Sequence, residues 1–111
     1  MSYKKGDIVL VKFPFTDASS GKLRPALIIS NDTINKTGDY LLMQVTIRLH
    51  GDALSLIISK KDYQEEPLYK QSELRLHKIF ILNESLMTNK ITSVNDVFMK
   101  VVINRLLLLL S

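Results

Sequence analysis

Gly6-Asp7-Ile8-Val9-Leu10-Val11-Lys12-Phe13-Pro14-Phe15-Thr16-Asp17, followed after a polar gap by Lys22-Leu23-Arg24-Pro25-Ala26-Leu27-Ile28-Ile29-Ser30, is the stretch on which the fold turns. Ile8 to Phe13 and Ala26 to Ile29 are apolar runs of strand length, rich in β-branched and aromatic residues. Between them Thr16 to Lys22 gathers turn formers, Ser19, Ser20 and Gly21 among them, so the stretch reads as two strands joined by a mobile loop. Pro14 cannot donate to a ladder and marks the end of the first strand. Pro25 marks the start of the second, or an edge position in it. Arg24 then stands where the loop enters the second strand, either as a solvated loop cation or as a guanidinium fixed toward a cleft.

Working outward, 111 residues make one domain, with about two thirds of the unfolded surface buried, enough to fold without a staple. Cysteine is absent, which excludes a disulfide framework, a thiol nucleophile and the common zinc spacings. No apolar leader opens the chain, so a cytoplasmic location is the default expectation. A formal charge of +4 and a pI near 9.4 favour a polyanionic partner without demanding one, since the lysines are scattered.

Asn31 to Asp39 is a connection or one loose helical turn. Tyr40 to Leu49 reads as the third strand. Its second half alternates, with Gln44, Thr46 and Arg48 on one face and Val45 and Ile47 on the other. Ala53 to Ser59 is the fourth strand, Lys60 to Lys70 a polar connection. Gln71 to Leu82 is the fifth strand, with Leu74, Leu76 and Phe80 inward and Glu73, Arg75 and His77 outward. Leu86 to Lys90 reads as a helical turn. Ser93-Val94-Asn95-Asp96 resembles an acidic capping box opening a helix with Val94, Val97, Phe98, Val101, Val102 and Leu106 on one side. Leu106 to Leu110 is apolar all round but far short of the roughly 20 residues that span a bilayer. It is expected as core or as a homodimer contact, ahead of a peripheral membrane helix. Five short strands and a C-terminal helix make a mainly β, α+β protein: a small closed or half-closed antiparallel barrel.

The two opening blocks, the Gln44-Val45-Thr46 strand and Ser72-Glu73-Leu74-Arg75-Leu76 resemble, in that order and spacing, the MazF/PemK family of toxin endoribonucleases, over nearly the whole chain. The resemblance implies an SH3-like barrel with a C-terminal helix, usually a homodimer, cutting single-stranded RNA sequence-selectively without metal or other cofactor. It also implies a cognate antitoxin lying along the RNA groove. Arg24 matches the family's active-site arginine beside proline, and Thr46 its active-site threonine. The loop from Phe15 to Leu23 matches the mobile loop bordering the RNA site, and Ser72 a position at the groove's edge.

Cleavage of RNA by its own 2′-hydroxyl needs that proton removed, the phosphorane charge stabilised and the leaving 5′-oxygen protonated. Arg24 is the candidate electrostatic stabiliser and proton donor, because a guanidinium stays protonated and binds phosphate bidentately. Thr46 is the candidate hydrogen-bonding partner to phosphate or ribose. The RNA-binding set is Lys12, Phe15, Thr16, Lys22, Pro25, Gln44, Arg48 and Ser72, with bases stacking on Phe15 or Tyr40. No strong general base is evident. His50 and His77 read as exposed structural residues, and Asp17, Asp32 and Asp52 as turn or cap carboxylates rather than metal ligands. Two rival readings are a non-nuclease toxin of the same fold that binds a protein such as DNA gyrase, as the CcdB family does, and a catalytically inactive RNA-binding relative.

Overall fold

The computed structural model describes residues 3–12 and 22–111. The elements are β1 (Asp7–Lys12), β2 (Leu23–Ile28), α1 (Asp32–Asn35), β3 (Asp39–Thr46), β4 (Ser55–Ile58), β5 (Ser72–Asn83), β6 (Met87–Ser93) and α2 (Asp96–Leu110), with 3₁₀ turns at Lys60–Asp62 and Glu84–Leu86. All the strand pairings are antiparallel, in the order β4-β5-β3-β2-β1-β6. Among the described residues the outer strands β4 and β6 are not paired with each other, so the barrel-like sheet is half-closed. Phe13 to Gly21, and with them the expectations for Phe15, Thr16 and Asp17, lie outside the described residues.

Alternation along the strands sorts the apolar side chains into two cores. Leu27, Met43, Val45, Leu74 and Leu76 face Phe98, Met99 and Val102 of α2. Val9, Val11, Ala26, Ile28, Leu42 and Phe80 form a second core on the other side of the sheet. A sheet this small can do both because β5 bends: β3 advances two residues from Met43 to Val45 while β5 uses five, from Ile79 to Leu74. Beyond that irregularity the first residues of β5 pair with β4 as well as β3. At the opposite end Gly6, at φ 98°, passes the chain beside Val94, whose carbonyl oxygen would lie 3.2 Å from any added Cβ. Its N–H donates to Ile28 O and its carbonyl accepts from Val94 N–H, which ties β1 to the start of α2.

Several expectations are corrected. Residues 87–90 belong to β6, a sixth strand, because β1 offers them a free ladder edge. The third strand stops at Thr46, leaving Ile47 and Arg48 in an exposed loop. Glu73 and Arg75 are buried rather than outward. In α2 the cap is Asn95, whose side chain accepts from Phe98 N–H, and the inward stripe is Phe98, Met99 and Val102, with Val97 and Val101 exposed. Leu107 to Leu110 are exposed on this chain, so they are not core.

Candidate active site

The site begins at Pro25. Proline has no N–H to give, and the β2–β3 ladder ends at the pair before it, Ala26 with Gln44. Arg24 lies two residues beyond that pair on β2, and Thr46 two residues beyond it on β3. Arg24 alternates with Ala26 and Ile28, and Thr46 with Leu42 and Gln44, so both continue the face of the second core where its apolar floor runs out. Arg24 is half-buried. Its Nε is buried, and no hydrogen-bond partner for it exists among the described residues. Thr46 is half-buried, and its Oγ1 accepts the N–H of Arg48 at 3.1 Å.

Of the remaining candidates, Lys12 ends β1 and Lys22 precedes β2, both exposed at this same end of the sheet. Gln44 is half-buried beside Ala26, Pro25 lies opposite Leu10, and Arg48 is exposed in the loop after β3. Ser72 alternates toward the helix-side core, is buried, and donates its hydroxyl to Lys70 O at 3.0 Å. Tyr40, expected as a stacking platform, is corrected: its ring is buried in the second core, edge-on to Tyr3 with centroids 6.0 Å apart, and cannot receive a base.

Opposite Thr46 in the ladder stands Glu73, and here the structure adds what sequence reasoning missed. The Glu73 side chain is 0 % exposed. Its Oε1 accepts the His50 N–H at 3.0 Å, and its Oε2 lies 2.9 Å from His50 Nδ1 and accepts the Ser55 hydroxyl at 2.7 Å. Arg75 Nη1 donates to Ser55 Oγ at 2.6 Å and Asp52 Oδ1 at 2.9 Å, with a long 3.5 Å contact to Glu73. Burial alone would push the Glu73 carboxyl up, yet the hydrogen bonds from Ser55 and from the His50 backbone and ring hold it below the usual range. Asp52 is lowered to about 2, by the Arg75 guanidinium first and the Ser55 hydroxyl second. It also caps its own turn, accepting the Leu54 N–H as an Asx carboxylate, as expected. Desolvation, and then the positive charge of Arg75, lower His77, whose residue is exposed as expected. Among the described residues no three acidic or imidazole groups converge as a metal site.

A half-closed antiparallel sheet packed on a C-terminal helix, with Arg24 and Thr46 on one face of it, defines a small barrel-like architecture. The model of the PemK-like, MazF-like toxins of type II toxin-antitoxin systems matches residues 4–110, and the chain belongs to that family. Its fold is similar to that of an endoribonuclease from a mycobacterial species in complex with its cognate antitoxin (17% identity, 98% of this chain and 95% of that one, TM-score 0.79). It is equally similar to MazF in a MazE-MazF complex from Deinococcus radiodurans (21%, 99% and 97%, 0.79). The Mycobacterium tuberculosis toxin MazF-mt6 matches at 12% identity over 90% of this chain and 91% of that one, with a TM-score of 0.70.

Proposed function

We propose that this toxin is a metal-independent, sequence-selective endoribonuclease acting on single-stranded RNA, with Arg24 and Thr46 at the scissile phosphate. The observation that carries the reading is Arg24 itself: a guanidinium on the sheet face that also carries Thr46, its buried Nε unpaired among the described residues. A phosphate would supply the missing acceptors, and charge-assisted bonds to it strengthen as the phosphorane forms. Lys12, Lys22 and Arg48 then meet neighbouring phosphates, and Gln44 and Pro25 form the wall beside Arg24. The family's dependence on an antitoxin, and the antitoxin complexes among the structural relatives, support a cognate antitoxin as the cellular partner. A second copy of this chain is the proposed cover for the exposed face of Leu107 to Leu110.

The test is digestion of mixed-sequence single-stranded RNA by purified protein in EDTA, with the product ends sequenced and Arg24→Ala run alongside. Cuts confined to one short motif, indifferent to EDTA and reduced by about 10²–10³-fold in Arg24→Ala, are expected. A folded protein that leaves RNA intact would overturn the nuclease reading in favour of a protein target.

A further inference from the structure

We infer that His50, aligned by the buried carboxylate of Glu73, is the base that takes the 2′-hydroxyl proton in RNA cleavage. The inference rests on the nuclease reading and supplies the group that reading lacks. A fully buried carboxylate is costly unless its oxygens are satisfied. Glu73 satisfies most of that need with one residue, His50, through both its backbone N–H and its ring. An Nδ1 at 2.9 Å from an ionised carboxylate carries the proton, so the lone pair is on Nε2. That nitrogen has no hydrogen-bond partner among the described residues, and the His50 side chain is 33% exposed. The imidazole is thus held in one tautomer and one orientation with its basic atom unoccupied. A histidine serving only as a surface residue would need no such support.

Position completes the case. Glu73 is the ladder partner of Thr46, and the loop leaving Thr46 brings His50 back over Glu73 within four residues. The base therefore sits in the segment that leaves Thr46, against the residue that pairs with Thr46. In the step proposed, the 2′-oxygen bonds to phosphorus as the P–O5′ bond breaks, and the 2′-hydroxyl proton passes to His50 Nε2. O5′ takes a proton from a water molecule, and the imidazolium returns its proton to the hydroxide left behind. The products are a 2′,3′-cyclic phosphate and a 5′-hydroxyl. Glu73 does not touch RNA; it is a positioning residue that also stabilises the imidazolium. The charged groups around the ring are Glu73, Arg75 and His77 of β5 and Asp52 of its own loop.

The experiment follows kcat/KM against pH on single-stranded RNA for the full chain, His50→Asn, His50→Ala and Glu73→Gln. Asparagine offers Glu73 an amide N–H in the place of Nδ1 and has no basic nitrogen. His50→Asn is expected to lose about 10²–10⁴-fold in kcat/KM, mostly in kcat, and to lose the acid limb of the profile. Added imidazole should restore part of the rate of His50→Ala, and Glu73→Gln should lower kcat while leaving KM nearly unchanged. A His50→Asn protein as fast as the parent with the same acid limb would overturn the inference while leaving the nuclease reading standing. So would a slow, natively folded His50→Ala that imidazole does not help. A parent protein that cleaves no RNA would overturn both.

Discussion

Two charged clusters sit toward opposite ends of the sheet, and they differ in what surrounds them rather than in what they contain. At the start of β1, Lys90 reaches Glu65 at 2.8 Å and Asp7 at 3.7 Å. Their hydrogen bond lowers the Glu65 carboxyl and raises the Lys90 ammonium, but about half of the Glu65 side chain and a third of the Lys90 side chain face water. At the other end Glu73, Arg75, Ser55, His50 and Asp52 form one network around a carboxylate that water does not reach. Screening makes the first cluster nearly indifferent to losing the exposed Glu65, whereas in the second each lost partner leaves a polar group stranded.

The largest effect therefore belongs to Glu73→Ala. It strips acceptors from the His50 N–H and ring and from the Ser55 hydroxyl in a space closed to water. A loss of about 3–5 kcal/mol is expected, read as a lower urea midpoint at unchanged slope. A loss below about 1 kcal/mol would mean that water enters the network freely.

Acid should expose the same contrast more gently. The Asp52 and Glu73 carboxyls titrate lower in the folded chain than in the unfolded one. The stability they lend is thus fully present above their unfolded values and drains away as pH falls through the folded ones. For Asp52 the window runs from 3.8 down to about 2. Urea midpoints taken from pH 5 downward, on a grid of about one unit, should fall steadily in the parent and less steeply in Asp52→Asn. Parallel curves for the two proteins would remove the Arg75–Asp52 pair from the account.

How much of this was legible beforehand depends on whether a feature is local. The two opening strands, the turn at Asn31, the caps near Asn95 and the Arg24–Pro25 corner are written in short-range chemistry, and they lie within a residue or two of where the residues suggested. Arg24 and Thr46 could be singled out from family likeness, and alternation puts both on the sheet face of the second core, beyond the Ala26–Gln44 pair. The Glu73 network could not be read in the same way. Glu73-Leu74-Arg75-Leu76-His77 alternates as a wet-faced strand does, and only the return of residues 47–55 over it turns Glu73 and Arg75 from solvent to interior. The sixth strand was missed for a related reason: Met87 to Ser93 has a modest strand pattern and becomes a strand because β1 has an unpaired side.

The smallest effect, and the sharpest control, is Glu65→Gln. The substitution removes the carboxylate 2.8 Å from Lys90 yet leaves the ammonium solvated and still beside Asp7, whose Oδ1 is buried without another partner among the described residues. No polar atom is stranded, because glutamine keeps an acceptor in the same place and water can reach it. The urea midpoint should match the parent within measurement scatter at low salt and at high salt alike. A drop comparable to that of Glu73→Ala would show that burial is not what separates the two clusters, and the energetic case for Glu73 as the anchor of His50 would have to be made on geometry alone.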